Sequence, residues 1–175
     1  MAASKPARIT ITKIEGARRQ IEAAVALWFQ DGDPVVVHTL VAAGHQVCND
    51  ILRKPNGKSE SPVLFNTALF PGDEWELHRK FTVKLENFLK HAKRDPSEKI
   101  TFNTAQTEMY ILDAILLWHM IERERHPLFE AFGAWFFLSN PTLVEKAVKM
   151  FPKLCKIETN ISRSEFLSKY LKESG

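Results

Sequence analysis

The chain has 175 residues, 45% hydrophobic and 26% charged, a composition typical of one globular domain with its own core. Its two cysteines, Cys48 and Cys155, lie at neither paired nor metal-ligand spacings, which argues against a disulfide framework and a zinc site. The N-terminus has no apolar leader, and the apolar runs are too short to span a membrane. We therefore expect a cytoplasmic protein with a flexible tail over residues 1–11 and a single domain over residues 12–175.

The first two predicted helices have clear start and stop signals. Thr12 and Glu15 have the spacing of a capping box, and apolar residues follow in a 3-4 rhythm. The stretch DGDP, residues 31–34, is predicted to end this helix with its glycine and to start a second helix with its Asp-Pro pair. The second helix is unusually apolar and is predicted to reach about residue 53.

The rest of the chain also has helical patterns. A polar loop is predicted after the second helix, and a third helix is predicted over about residues 74–93. A fourth begins near Asn103, an aromatic-rich stretch suited to core packing follows it, and shorter helices are predicted over about residues 141–156 and 162–172. Almost nothing alternates with period two. The sequence therefore predicts an all-α, up-and-down bundle of four to five main helices with additional short C-terminal helices.

The net charge of +3 is unevenly distributed along this pattern. Residues 79–99 contain seven Lys or Arg and three Asp or Glu (7 − 3 = +4), whereas residues 101–140 contain two and five (2 − 5 = −3). Two interpretations stay open at this point. A basic helix faces an acidic one within the fold, or a basic surface contacts phosphates.

A row of polar side chains follows one border of the third helix. Lys80, Lys84, Asn87 and His91 are spaced 4, 3 and 4, which places them on one face. His91 has the features of a general acid or base, with Asp95 one turn further on, and Asn87 can position it or a phosphate. The two lysines can hold a phosphate without a metal. The alternatives are catalysis on a substrate such as RNA, phosphate binding alone, and a purely structural edge of the core.

A second candidate polar site lies on the second helix. His38, His45 and Asn49 line up on one face, opposite the apolar residues. This stripe is interpreted as a helix-contacting or solvent-facing surface, as a part of a site shared with His91, or as metal ligands together with a carboxylate from a neighbouring helix. We assign no metal and no cofactor to the chain.

The stretch ENFLKHA, residues 86–92, resembles the motif of the HEPN superfamily, in which an arginine, a polar residue, three residues and a histidine share one helix of a small α bundle. By this resemblance Asn87 and His91 match the polar residue and the histidine, and Glu86 occupies the arginine position. Many HEPN proteins are dimeric, metal-independent ribonucleases. The resemblance implies a homodimer that binds nucleotide or RNA, with ribonuclease activity that is weak or lost because glutamate cannot replace the arginine.

Two longer stretches, LWFQDGDPVVVHTL and NFLKHAKRDP, are similar to segments of a group of small bacterial proteins with no assigned function, which implies a bacterial cytoplasmic setting. The leading hypothesis is the HEPN-like domain. The alternative is a non-catalytic module that binds a cognate protein of a two-component bacterial system, such as a toxin–antitoxin or defence pair. A third hypothesis is a metal protein with histidine and carboxylate ligands.

Overall fold

All regular secondary structure in the described part of the chain is helical, which confirms the predicted all-α class and is consistent with a helical bundle. The structure is a computed structural model that describes residues 8–53, 80, 84–91, 96–101, 103–140 and 160–174. Its helices are α1 (Lys13–Phe29), α2 (Pro34–Leu52), α3 (84–90), α4 (Thr104–Glu122), α5 (Pro127–Ser139) and α6 (Arg163–Ser174). The predicted loop after the second helix and the predicted helix over 141–156 lie outside the described residues.

The starts of α1 and α2 confirm the predicted capping residues. The Glu15 amide donates to Thr12 Oγ1 at 3.2 Å, and the Glu15 carboxylate accepts from the Thr12 amide at 2.7 Å, which closes the capping box. At α2, Asp33 Oδ1 accepts from the amides of Val35 and Val36, and Pro34 occupies the first helical position. Both helices therefore begin where short-range chemistry places them.

The turn between α1 and α2 brings the two helices side by side in opposite directions. The Gly32 amide donates to Leu27 O at 2.8 Å, and a Cβ at this glycine would stand 2.9 Å from the same oxygen. Further along the pair, the Cα of Gly44 faces Ile21, where a Cβ would stand 2.7 Å from the Ile21 side chain. Small residues at these points allow α1 and α2 to pack closely.

The fourth helix also begins and ends on recognisable signals. Asn103 is the N-cap of α4, and its Oδ1 accepts from the Ala105 amide at 3.1 Å. Arg123 ends α4 in the left-handed conformation, with φ of 55°, and its amide donates to His119 O. The α4 start therefore agrees with the sequence prediction.

The aromatic-rich stretch forms α5, which begins at Pro127. The buried side of this helix carries aromatic residues and packs against α1 and α4. At the last helix, the Glu165 amide donates to Ser162 Oγ, as expected for the predicted C-terminal helix over about 162–172. The buried core draws on all six helices, and its largest fully buried side chains are Trp118, Phe29, Phe129, Phe132, Phe136, Phe166, Ile21, Leu85, Ile111 and Leu117. None of the described helices combines the length and the apolarity needed to cross a bilayer.

The third helix ends earlier than predicted. Its helical backbone stops at residue 90, and His91, which the prediction placed inside a helix reaching residue 93, is the first residue after it. The His91 amide still donates to Asn87 O at 2.9 Å, so His91 closes the last turn. Leu85, on the described part of α3, is buried.

Candidate functional site

The polar row predicted on the third helix is exposed. Lys80, Lys84, Asn87 and His91 all lie at the surface, and Lys80 has helical backbone just before the described part of α3. The Lys84 side chain is 63% exposed, and its Nζ is 4.0 Å from a carboxylate oxygen of Glu98, the outer limit of an ion pair. The row therefore presents cationic and amide groups to solvent.

Glu86, at the position of the motif arginine, turns away from that row. Its Oε1 accepts a hydrogen bond from the hydroxyl of Tyr110 on α4, and its Oε2 lies 3.4 Å from Lys90 Nζ. The Glu86 carboxylate is thus held against α4. The residue at the position of the motif arginine therefore adds no positive charge to the exposed side of α3. Asp95, the predicted partner of His91, lies outside the described residues.

The contacts of the charged side chains bear on the two interpretations of the basic segment 79–99 and the acidic segment 101–140. Lys84 and Lys90 lie beside acids of their own segment, Glu98 and Glu86. Two acids of α4 contact other helices: Asp113 accepts from His45 of α2, and Glu108 pairs with Arg163 of α6. Among the described residues, therefore, the ion pairs of these lysines lie within their own segment and leave much of the Lys84 side chain open to solvent.

The polar stripe on α2 faces α4. His38 is buried, and its Nδ1 lies 3.1 Å from Thr107 Oγ1. Burial lowers the pKa of His38 to about 4, with the nearby Glu86 carboxylate acting in the opposite direction. The ring centroid of Tyr110 is 5.3 Å from that of His38 and 4.5 Å from that of His45. Both histidines of the predicted second site thus pack on one α4 side chain.

His45 pairs with a carboxylate that the sequence analysis did not assign to a site. His45 Nε2 lies 2.6 Å from Asp113 Oδ2, and the exposed fractions of the two side chains are 15% and 1%. Burial raises the pKa of Asp113, while the hydrogen bond and charge of His45 oppose that rise. The signal in the sequence was an aspartate inside the apolar run YILDAILLWHMI, which favours a buried partner.

Tyr110 connects this pair to α3. Its hydroxyl lies 3.2 Å from His45 Nδ1 and donates to Glu86. Burial raises the pKa of Tyr110, and Glu86 and Asp113 raise it further. We refer to Glu86, Tyr110, His45 and Asp113 as the polar network, which joins α2, α3 and α4 through consecutive hydrogen bonds.

No contact between His91 and the histidines of the α2 stripe is seen among the described residues. His45 belongs to the polar network, whereas His91 lies exposed beyond the end of α3. Asn49, the third residue of the predicted second site, is half-buried one turn after His45. The α2 stripe is therefore a helix-contacting surface. Within the described ranges, no three His, Cys, Asp or Glu side chains come together as potential metal ligands.

A cavity of about 220 Å³ lies where α6 meets α1, α2 and α4, and its lining includes Thr107, the hydroxyl partner of His38. The Arg163 guanidinium carbon lies 4.0 Å from the Trp28 ring centroid, and its nitrogens lie 3.0 Å from Glu108 and 3.4 Å from Asp31. Burial raises the pKa of Glu108, and Arg163 opposes that rise. The charged side chains around the cavity thus pair with one another, and Arg163 ties α6 to the bundle.

The arrangement supports two kinds of chemistry. The exposed row on α3 is suited to contacts with anionic groups, and the polar network is suited to sharing protons between buried side chains. Cys48 is buried, and burial raises the pKa of its thiol to about 12, which makes it a poor nucleophile. No protein-family model, curated protein or solved structure matches this chain.

Proposed function

We propose that this protein binds nucleotide or RNA phosphates through the exposed row of Lys80, Lys84, Asn87 and His91. The observation that carries the proposal is the exposure of all four side chains, which the sequence spacing assigns to one face. Lysines in this setting act as point charges that replace counterions along a phosphate backbone, and an asparagine amide and an imidazole can donate hydrogen bonds. The resemblance of residues 86–92 to the HEPN motif supports the same ligand class.

We further propose that binding occurs without efficient RNA cleavage. Cleavage through the neighbouring 2′-hydroxyl develops negative charge on the phosphate oxygens, and a fixed cation beside the histidine stabilises that charge. Here Glu86 takes the position of the cationic residue, and its carboxylate is engaged by Tyr110 and Lys90. His91 therefore lacks the arginine that the HEPN motif pairs with it.

The test is fluorescence anisotropy with a labelled single-stranded RNA at several salt concentrations. Alanine at Lys84 should weaken binding and reduce the salt slope by about 1, because one phosphate contact is lost. Lys172→Ala is the matched control, since Lys172 is also exposed but lies on α6. Equal effects of the two substitutions would show that α3 has no special part in binding. The absence of salt-dependent binding by the parent chain would overturn the proposal and favour a protein partner.

A cleavage assay in EDTA tests the second part of the proposal. The parent chain should leave labelled RNA intact, and Glu86→Arg supplies the cation that the motif has at this position. His91→Ala is the control for any cleavage that does appear. Metal-independent cleavage by the parent that disappears in His91→Ala would show that the protein is a ribonuclease despite Glu86.

A further inference from the structure

We propose that the polar network is a proton-dependent latch that holds α3 against α2 and α4. Among the described residues, the network forms a hydrogen-bonded link between α3 and these helices: Glu86 lies on α3, Tyr110 and Asp113 on α4, and His45 on α2. The inference concerns how α3 is held, and it does not depend on whether α3 binds RNA.

The direction of the hydrogen bonds determines where the protons are. Tyr110 has a single hydroxyl hydrogen, which it donates to Glu86 Oε1. The contact between the Tyr110 oxygen and His45 Nδ1, at 3.2 Å, is then a hydrogen bond only if Nδ1 carries a hydrogen. On the other side of the ring, Nε2 and Asp113 Oδ2, 2.6 Å apart, share a second proton. The complete network therefore contains one proton on Nδ1, one on the Tyr110 oxygen and one between His45 and Asp113.

These protons can move along the network without breaking it. When the Nδ1 proton passes to the Tyr110 oxygen, the hydroxyl proton passes to Glu86. The tyrosine then donates to neutral Nδ1 and accepts from the protonated carboxyl group. Both arrangements contain the same number of protons and the same number of hydrogen bonds. All hydrogen bonds of the network are therefore kept when protons move within it, but not when the total number of protons changes.

When the network loses one proton to a base in the solvent, its hydrogen bonds can no longer all form at once. Nδ1 and the Glu86 carboxylate are then both acceptors, and they face a tyrosine hydroxyl that has only one hydrogen to donate. The hydroxyl hydrogen can bond only one of these two acceptors at a time, so unprotonated Nδ1 competes with Glu86 for it. This competition weakens the attachment of α3, because the acceptor left without a hydrogen is partly buried.

The charged and titratable groups around the network act on it from each helix. From α4, the Asp113 carboxylate faces the imidazole of His45. From α3, the Lys90 ammonium lies 3.4 Å from a carboxylate oxygen of Glu86. From α2, His38 interacts with both Glu86 and Lys90, and burial keeps it neutral above about pH 4. The latch is therefore best observed at pH values where His38 does not change its charge.

Hydrogen exchange of the backbone amides of residues 84–91, measured by NMR from about pH 6.5 to about pH 8 and corrected for intrinsic rates, tests the latch. Protection of these amides should fall about tenfold across this range, as expected for the loss of one hydrogen bond to a charged group. Amides of α1 serve as the internal reference and should keep their protection. Two-dimensional 15N spectra of the His45 imidazole identify the loss of the Nδ1 proton in the same samples.

Glu86→Gln is the decisive variant. A glutamine amide either accepts from Tyr110 or donates to it, so the network stays complete with His45 protonated or neutral. The latch predicts that α3 protection in Glu86→Gln no longer falls as the pH rises, whereas Tyr110→Phe lowers protection at every pH. Tyr170→Phe, on α6, is the matched control and should behave like the parent. A parent whose α3 protection is independent of pH, or a Glu86→Gln variant that keeps the full pH dependence, would overturn the proposal.

Discussion

Gly44 is a single residue whose size sets the spacing of two helices. A Cβ added at Gly44 would stand 2.7 Å from Ile21 Cγ1 and 3.0 Å from the backbone oxygen of Ala17. We predict that Gly44→Ala lowers the free energy of unfolding by about 1–3 kcal/mol, because the strain of overpacking exceeds the gain in helix propensity. Urea unfolding followed by circular dichroism measures the change.

Gly133 provides the matched control for this substitution. It also lies inside a helix, α5, but a Cβ there would come within 4 Å of no atom in the part of the chain that the structure describes. Gly133→Ala should therefore raise the free energy of unfolding by about 0.5–1 kcal/mol through helix propensity alone. A destabilised Gly133→Ala, or a stabilised Gly44→Ala, would contradict the packing described for α1 and α2.

His38 makes stability depend on pH in a defined direction. Burial lowers its folded-state pKa to about 4, below its ordinary value of 6.5, so the unfolded chain binds the proton more tightly. The stability contributed by neutral His38 is complete above pH 6.5 and is lost as the pH falls from 6.5 towards 4, with a limit on the order of 3 kcal/mol. Urea unfolding at pH 7 and pH 4.5 should show a smaller loss for His38→Gln than for the parent. Equal losses of stability in the parent and in His38→Gln would show that His38 does not cause this pH dependence.

The sequence predicted individual residues well where the interaction is local. Thr12, Asp33 and Asn103 were placed correctly as helix caps because a cap and its partner amides are only two or three residues apart. The pair of His45 and Asp113 was not predicted. These two residues are 68 positions apart in the sequence, and their contact depends on how α2 and α4 pack together. Face spacing indicated a polar stripe on α2, but no local pattern specifies which helix it meets.

At the scale of elements, Arg163 attaches α6 to the bundle. Its guanidinium stacks on Trp28 and pairs with Glu108 and Asp31, and the C-terminal helix also buries Phe166. We predict that Arg163→Ala destabilises the protein by about 1–3 kcal/mol, because it leaves the partly buried Glu108 without its cation. The α6 amides should exchange faster in the same variant.

Arg125→Ala is the control for this effect. Arg125 also forms a bidentate ion pair, with Glu130, but its side chain is 85% exposed. Its removal should leave the free energy of unfolding nearly unchanged, because solvent screens an exposed ion pair. If both arginine substitutions have the same small effect, Arg163 does not anchor α6. Arg163→Lys should recover only part of the loss, since an ammonium cannot stack flat on the indole.

Helix prediction succeeded where start signals and apolar periodicity agree, as in α1, α2 and α4. The sequence of the aromatic-rich stretch shows no clear helical period because the stretch is apolar on most sides, although it forms α5. The end of α3 was placed too late, since residues 91–93 continue the polar and apolar pattern although the helical backbone stops at 90. Spacing alone places the four residues of the row on one border of the apolar face, whereas their exposure and the contact of Glu86 with Tyr110 depend on tertiary structure.

At the scale of the whole molecule, the described contacts divide into a large apolar core and a smaller attachment of α3. The helices α1, α2, α4, α5 and α6 contribute to one cluster of buried apolar residues that does not include Leu85 of α3, and the described part of α3 is bonded to α4 through the polar network. We predict that interior amides of α1, α2 and α4 exchange only through global unfolding. The amides of α3 should exchange through a smaller opening with a weaker dependence on urea. Native-state hydrogen exchange at increasing urea concentrations measures both.

Gly44→Ala separates the two kinds of opening in the same experiment. Because the substitution strains the contact between α1 and α2, it should lower the free energy of global unfolding without changing that of the local α3 opening. The curves for α1, α2 and α4 should therefore shift downward together while the α3 curve stays in place at low urea. If the α3 amides shift by the same amount and share the global urea dependence, α3 unfolds with the core, and local detachment of α3 does not occur.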